Sequence, residues 1–218
     1  MSKTKDIEIR STAGAPTANA ESRRIEGYAI VFNSESQLLD DWGTPFVETI
    51  EPDAVTDELL RAADVKCVFN HTPSLLLARS KKGEGTLTLE KDEKGLRYSF
   101  DAPNTVDGDK VLELVRRGDL TGSSFAFSAR GEDAVSYYED ADGLLHRTVH
   151  HITGLYDVSP VIDPAYAETS VEAKRALEAT DPEGEGKTPT PDSQDPEDPT
   201  LSSRVAETGR AKERLRNL

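Results

Sequence analysis

Short segments rich in β-branched and aromatic residues, separated by turn signals, recur along the middle of this chain. The segment IEGYAIVF (residues 25–32) ends at an Asn-Ser pair, as a strand entering a turn does. The segment GTLTLEKDEKGLRYSFDA contains two alternating runs joined by DEKG, which predicts a β-hairpin. The other segments of this kind are VKCVFNH, LLLARS, SSFAFSAR, AVSYYEDA and LLHRTVHHITGLYDVSPVI. This succession restricts the chain to a fold built mainly from strands.

Two segments have helical periodicity instead. In AVTDELLRAA, three apolar residues fall on one side at helical spacing, and acidic residues occupy the first turn. Residues 104–117 carry an apolar stripe that ends at Gly118. Because strands and helices do not alternate regularly, we predict a mainly β barrel or sandwich with flanking helices.

The composition divides the chain into a core and polar ends. Hydrophobic residues make up 35% of the chain and charged residues 31%, and the polar excess lies at the two ends. Residues 1–23 are interpreted as a flexible N-terminal arm with two isoleucines that offer a short edge strand, and residues 24–178 as the folded domain. Residues 179–200, acidic and rich in Pro and Gly, are predicted to be a disordered linker. Residues 201–218 are a basic tail, either solvated with a weak helix or a docking peptide.

The charge and the apolar content exclude several classes of function. A formal net charge of -15 argues against a protein that coats nucleic acid or an anionic membrane, because such binding depends on clustered Lys and Arg. No apolar run approaches the roughly 20 residues that cross a bilayer, and the start of the chain has no segment of signal-peptide type. We therefore expect a protein that is not secreted and binds neither nucleic acid nor membranes.

Two adjacent serines precede an aromatic strand, and strand alternation separates their roles. Ser123 shares a face with Phe125 and Phe127, which should point into the core, whereas Ser124 shares a face with small residues. Nucleophilic catalysis by serine requires an imidazole within hydrogen-bond reach and a third group that orients the imidazole. His71 stands at the end of a predicted strand, just before a Pro turn, where a side chain can face a cleft. By spacing alone, Ser124 remains either a turn residue or a nucleophile.

The chain's one cysteine and its three clustered histidines suggest other chemistries. Cys67 cannot form an internal disulfide and lies in an apolar stretch, but His71 only four residues further on leaves a catalytic thiol as an alternative. His146, His150 and His151 with a nearby Asp offer ligands for a metal. In a strand, however, His151 would point away from the other two, and no HExxH or paired-Cys pattern is present. We expect no metal and no cofactor.

Four short motifs carry a resemblance to a known family. In order along the chain they are GYAIVFN, FNH after apolar residues, RRGDL followed by TGSSFAF, and LYDVSPVIDPAYAET. Together they resemble the prohead serine protease family of tailed bacteriophages, over approximately residues 24–175. The segments SFAF and DVSPV are the most specific parts. The family is related in fold to the herpesvirus assembly proteases, so the resemblance implies a closed or partly open β-barrel of the herpesvirus-protease type.

The resemblance implies a role for each candidate site residue. His71 would be the general base, Ser124 the nucleophile, and Asp157 the residue that orients His71. In the herpesvirus proteases the third member is a second histidine, so His151 remains an alternative to Asp157. Arg130, on the strand face of Ser124, is either an aid to oxyanion stabilisation, direct or through water, or a surface cation.

The resemblance also implies the biology of the protein. Such enzymes are serine endopeptidases, packaged inside the procapsid in the host cytoplasm, that cleave the major capsid protein and its scaffolding segment and then themselves. We expect self-cleavage in the arm or the tail, and homo-oligomers are compatible with the sequence. A non-enzymatic scaffolding or capsid-assembly protein that retains the fold is the alternative function.

Overall fold

A computed structural model describes residues 7–12, 14–41 and 44–162 of the chain. The described residues form fourteen strands, two α-helices and two short 3-10 turns. The strands are β1 (Glu8–Thr12), β2 (Thr17–Ala18), β3 (Arg24–Val31), β4 (Leu39–Asp41), β5 (Thr44–Ile50), β6 (Asp64–Val68), β7 (Leu76–Lys81), β8 (Glu84–Gly85), β9 (Leu87–Lys91), β10 (Gly95–Asp101), β11 (Gly122–Ser128), β12 (Val135–Glu139), β13 (Leu145–Val149) and β14 (Gly154–Val161). The helices are α1 (Asp57–Ala62) and α2 (Val106–Arg117), and the 3-10 turns are Pro52–Ala54 and Phe69–His71.

The strands pair into three sheets. The first has the order β1-β11-β14-β6-β7-β8, the second β2-β3-β10-β9, and the third β12-β13-β5-β4. Pairing is antiparallel except between β14 and β6 and between β13 and β5, which are parallel. The prediction of a mainly β fold with few helices is therefore confirmed.

The predicted barrel is not confirmed. Each of the three sheets has two different strands at its ends, for instance β1 and β8 in the first sheet, so none of the sheets closes on itself. Closure depends on strand tilt and on the stagger between distant strands, which the alternation of residues within a strand does not specify.

Both helices form where the sequence predicts them. Thr56 and Thr105 cap the N-termini of α1 and α2, each accepting a hydrogen bond from a backbone N–H three residues further on. Helix α2 ends at Gly118, which adopts the left-handed conformation (φ 76°) that glycine reaches without strain. The predicted apolar stripe of α2 is buried at Val111, Leu112 and Val115.

One predicted strand segment and one predicted boundary differ in the structure. The segment LLHRTVHHITGLYDVSPVI forms two strands in different sheets, β13 and β14, with the connection at residues 150–153. Val149 and Ile152 both lie in the main core although they are three positions apart, so the alternation that a single regular strand needs is interrupted here. Within the predicted flexible arm, the two isoleucines do indicate a strand: Glu8–Thr12 is β1, at the edge of the first sheet, so the folded part of the chain begins before residue 24.

The hydrophobic core lies between the sheets and α2. Its largest fully buried side chains include Tyr98 and Phe100 from β10 and Phe125 and Phe127 from β11. The Tyr98 hydroxyl lies 2.9 Å from Ser123 Oγ and so joins the second sheet to the first. The core therefore anchors β11 from the side opposite to Ser124.

Several predictions concern residues outside the described ranges. These are the acidic linker (179–200), the basic tail (201–218), the end of the predicted domain (163–178) and the first six residues of the arm. Within residues 7–12, 14–41 and 44–162, no helix combines the length and the apolar character that a membrane span needs.

Candidate active site

Ser124, His71 and Asp157 form a continuous hydrogen-bonded chain. His71 Nε2 lies 2.6 Å from Ser124 Oγ. On the other side of the ring, His71 Nδ1 lies 3.0 Å from Oδ1 and 3.1 Å from Oδ2 of Asp157. All three residues are buried, with 0% exposure for Ser124 and Asp157 and 8% for His71. The structure thus brings together the three residues singled out in the sequence.

The sheet order explains why residues so distant in sequence meet. Ser124 lies on β11 and Asp157 on β14, the next strand, while β6 follows β14 and leads directly into the turn that carries His71. In the β11–β14 ladder, Ser124 is paired with Ser159 and Ala126 with Asp157. Residues two apart on a strand share a face, so these positions present their side chains to the same side of the sheet.

The turn that carries His71 has an unusual backbone. Asn70 and His71 both have positive φ values, 51° and 53°, in the left-handed region. Asn adopts this region more readily than most residues, whereas a histidine held there costs of the order of 1 kcal/mol. Thr72 N–H closes the turn by donating to Phe69 O at 3.0 Å. This reversal ends the strand and turns the imidazole back over the sheet.

Ser159 is a fourth polar residue of the site, and it was not predicted from the sequence. Its hydroxyl donates to Asp157 Oδ1 at 2.9 Å and lies 3.4 Å from His71 Nδ1. It is fully buried. The sequence signal was available, because Ser159 is two residues from Asp157 on a predicted strand and therefore on the same face. Its hydrogen bond helps to fix the orientation of the Asp157 carboxylate.

The histidine alternative for the third position does not reach the site. His151 lies in the connection between β13 and β14, and its side chain is exposed. If residues 149–159 ran as one regular strand, His151 and Asp157 would share a face. The break at residues 150–153 shows that this expectation is wrong. The neighbour of His71 Nδ1 is the Asp157 carboxylate.

The other two histidines have separate acidic partners. His146 lies 3.0 Å from Asp140 and 3.4 Å from Glu35, while His150 Nδ1 lies 2.8 Å from Glu51. Among the described residues, no group of three or more His, Cys, Asp and Glu side chains is arranged to hold a metal ion. Each of these two histidines thus has a carboxylate partner of its own.

Cys67 and Arg130, the two other candidates, lie outside the hydrogen-bonded chain. Cys67 is fully buried, and this burial, followed by the nearby charge of Asp157, raises the pKa of its thiol well above the ordinary value. A neutral, inaccessible thiol is a poor nucleophile, which argues against the thiol alternative. Arg130 lies beyond the end of β11 with an exposed side chain, as expected for a surface cation.

Strand β1 covers the Ser124 hydroxyl. Ser11 is paired with Ser124 in the antiparallel β1–β11 ladder. Ser124 Oγ lies 2.7 Å from the carbonyl oxygen of Arg10 and accepts a hydrogen bond from Ser11 Oγ at 3.1 Å. A hydroxyl has one hydrogen, so Ser124 donates either to the Arg10 carbonyl or to His71 Nε2. When it donates to His71, the Arg10 carbonyl oxygen receives no hydrogen bond from Ser124.

A group of four charges, two of them buried and two partly buried, holds β1 in place. Arg10 donates to Glu48 at 2.9 Å through Nε and to Glu8 at 2.7 Å, and Arg147 pairs with the same two carboxylates. The Arg10 guanidinium also lies 5.8 Å from the ring centres of Phe46 and Phe127. Burial by itself would lower the pKa of Arg147, but the hydrogen bond with Glu8 and the charges of Glu48 and Glu8 outweigh it and raise this pKa. No local pattern in the sequence identifies this group, because its members come from three strands that are far apart in the sequence.

The arrangement has the chemical parts that serine acyl transfer needs. Since a carboxylate can only accept hydrogen bonds, Nδ1 of His71 carries the hydrogen that Asp157 receives. In the neutral ring, Nε2 then has a free lone pair directed at the Ser124 hydroxyl. An imidazole in this tautomer can remove the hydroxyl proton, and the carboxylate can stabilise the imidazolium that forms.

Comparison with known proteins assigns the chain to a family. Among curated proteins, none matches. Among solved structures, the capsid assembly protease gp21 of bacteriophage T4 is similar, with a TM-score of 0.41 and 13% sequence identity, covering 72% of this chain and 98% of the T4 chain. The family model of the caudovirus prohead serine proteases matches residues 5–183, which is most of the chain. The protein therefore belongs to the caudovirus prohead serine protease family.

Proposed function

We propose that this protein is a serine endopeptidase in which Ser124 is the nucleophile, His71 the general base and Asp157 the residue that orients His71. The observation that carries the proposal is the hydrogen-bonded chain from Asp157 through His71 to Ser124. Each link is within hydrogen-bond distance, and the residues belong to a chain of the prohead serine protease family.

The proposed reaction follows from this order of groups. His71 Nε2 takes the proton of the Ser124 hydroxyl as Oγ attacks the substrate carbonyl carbon. Asp157 stabilises the imidazolium, and Ser159 holds Asp157 through its own hydrogen bond. His71 then gives the proton to the leaving amine, and water releases the acyl group from Ser124 by the same route in reverse.

The proposed substrates are proteins of the phage head. They are the major capsid protein and its scaffolding segment, cleaved inside the procapsid in the host cytoplasm, and the enzyme itself. This proposal rests on membership of the caudovirus prohead serine protease family. The geometry of the site supports the proposed reaction type, and family membership supports the procapsid as its location and head proteins as its substrates.

One observation favours a second function, that of a non-enzymatic scaffolding protein that retains the protease fold. Ser124 has no exposed surface beneath β1, so in this conformation an external substrate does not reach it. A protein that had lost its activity would have no need of an accessible nucleophile. The two functions differ in whether the capsid protein is cut.

Co-expression with the capsid protein of the same phage distinguishes the two functions. Wild type should yield trimmed capsid protein, measured by intact mass, and Ser124→Ala should yield intact capsid protein. Ser123→Ala is a matched control, because it removes the neighbouring hydroxyl on the opposite face of β11. Uncut capsid protein in the presence of folded wild type would refute the enzymatic proposal and leave the scaffolding function.

A further inference from the structure

Strand β1 lies in the candidate active site in the manner of a bound substrate. A peptide that adds an antiparallel strand to an exposed sheet edge is a common mode of recognition, in which main-chain pairing positions the peptide and side-chain pockets select it. β1 pairs with β11, the strand that carries Ser124, along Glu8–Thr12. It therefore presents a defined peptide bond to Ser124.

The bond nearest to the nucleophile is the one between Arg10 and Ser11. Ser124 Oγ lies 2.7 Å from the Arg10 carbonyl oxygen. Because a C=O bond is about 1.2 Å long, the carbonyl carbon of Arg10 lies within about 4 Å of Oγ. Reacting atoms in a near-attack arrangement are about 3–3.5 Å apart, so a small movement of the strand brings the two atoms into reaction distance.

The side chain before this bond occupies its own pocket. The Arg10 guanidinium meets the carboxylate of Glu48 through two hydrogen bonds, from Nε at 2.9 Å and from a terminal nitrogen at 3.2 Å. The Glu48 side chain is only 2% exposed, and the rings of Phe46 and Phe127 flank the cation. Such a two-point contact fixes the position of the arginine, and with it the register of the peptide bond on Ser124.

The contacts of β1 allow the strand to leave after a cut at this bond. Ile7 and Ala126 form a small cluster separate from the main core, so the departure of Ile7 leaves the main core intact. The departing peptide would also remove one acid, Glu8, and one base, Arg10. Glu48 and Arg147 would remain as a neutral pair, which avoids an unpaired buried charge.

We propose, on the basis of the proposed function, that the N-terminal strand is the enzyme's first substrate and that Ser124 cleaves the Arg10–Ser11 bond within its own chain. Ser124 Oγ forms an ester with the Arg10 carbonyl carbon as the C–N bond to Ser11 breaks. The hydroxyl proton passes through His71 to the Ser11 nitrogen, which becomes the new N-terminus. Water then hydrolyses the ester, and residues 1–10 leave with a C-terminal carboxylate on Arg10. Their departure removes the Arg10 carbonyl group from Ser124 and leaves Ser11 as the new chain end beside it.

The test follows the N-terminus of the full-length protein. Purified wild type is incubated, and intact mass and N-terminal sequencing are recorded over time at several protein concentrations. We expect a new N-terminus at Ser11, formed with first-order kinetics at a rate that does not depend on concentration. In Ser124→Ala the Arg10–Ser11 bond should stay intact, with a rate lower by at least about a thousandfold.

Variants of Arg10 test the role of its pocket. Arg10→Glu places a third carboxylate against Glu48 and Glu8 and should slow the cut by at least about tenfold. Arg10→Lys keeps the charge but loses the two-point contact, and should be cut at an intermediate rate. Arg61→Glu, a charge reversal on the distant helix α1, is the control and should be cut like wild type. Circular dichroism establishes that each variant is folded.

The outcomes separate this proposal from the proposed function. If wild type trims the capsid protein while its own Arg10–Ser11 bond stays intact, the proposal is overturned and the protease function stands. A cut whose rate rises with protein concentration would overturn the intramolecular step. If wild type cuts neither this bond nor the capsid protein, the proposed function itself fails.

Discussion

The imidazole of His71 lies 2.6 Å from the hydroxyl of Ser124, although 53 residues separate them in the sequence. Two intervening features of the fold produce this contact. The left-handed turn at Asn70 and His71 follows β6 and directs the ring back over the sheet. Strand β14 lies between β6 and β11, which places Asp157 next to His71. The hydrogen-bonded chain is therefore a property of the sheet order and not of any one strand.

The sequence left Asp157 and His151 as alternatives for the third position in the site, and substitution tests the assignment to Asp157. Asp157→Asn keeps the size of the side chain but allows the amide to donate to His71 Nδ1, which favours the wrong tautomer. We expect the rate of capsid-protein trimming to fall by about 10²–10⁴-fold. His151→Ala should leave the rate unchanged, because this exposed side chain lies outside the hydrogen-bonded chain. Loss of trimming in folded His151→Ala, with activity retained in Asp157→Asn, would reverse the assignment.

The two adjacent serines should affect different properties of the protein. Ser123→Ala removes the partner of the buried Tyr98 hydroxyl and should lower the free energy of unfolding by about 1–3 kcal/mol while trimming continues. Ser124→Ala should abolish trimming. Urea unfolding followed by circular dichroism measures the first effect, and the intact mass of the capsid protein measures the second. A folded Ser123→Ala protein that fails to trim would contradict this division.

Cys67 should be unreactive in the folded protein. Burial raises the pKa of its thiol, so the thiolate is scarce at neutral pH, and the side chain has no exposed surface. Iodoacetamide should modify Cys67 in urea but not in buffer, as measured by mass spectrometry. Cys67→Ala should retain trimming and lose about 1 kcal/mol of stability through the small cavity it leaves. Rapid labelling of the native protein, accompanied by loss of activity, would restore the thiol alternative.

An ion pair between β6 and β7 should make a small part of the stability dependent on pH. The Arg79 guanidinium, through its hydrogen bonds and its charge, holds the pKa of Asp64 below its ordinary value. Asp64 therefore stabilises the folded state above the pKa of the unfolded chain, near 4, and this contribution is lost as the pH falls through the lower folded value. Since both side chains are more than one-third exposed, we expect less than about 1 kcal/mol.

The measurement compares wild type with Asp64→Asn by urea unfolding at several pH values. The difference in the free energy of unfolding should be largest above about pH 5 and should shrink below about pH 4. Salt should reduce it at neutral pH, because the pair is solvent-exposed. A difference that stays constant from neutral to acidic pH would show that Asp64 acts through packing instead.

Patterns within single elements were readable from the sequence. Helix α2 and its end at Gly118 followed from a stripe of apolar residues and one glycine. The opposite orientations of Ser123 and Ser124 followed from strand alternation, since the first contacts Tyr98 and the second His71. In both cases the information lies within a few residues, where backbone geometry relates neighbouring side chains directly.

Relations between distant elements were not readable in this way. The break between β13 and β14 falls inside a segment that was predicted as one strand-like run, and the charges of Arg10, Glu48 and Arg147 have the sequence signature of surface residues. Their burial depends on which strands become neighbours. Resemblance to a family placed Asp157 near His71, whereas alternation alone left His151 equally acceptable.

The sequence by itself determined the mainly β character, both helices, the serine that faces away from the core, and membership of the prohead protease family. Only the tertiary structure decided that the sheets stay open, that Asp157 and Ser159 approach the imidazole, and that the N-terminal strand covers the serine. The physical reason is that short-range periodicity reports which face of an element is apolar, while the pairing of strands far apart in the chain depends on the packing of the whole fold.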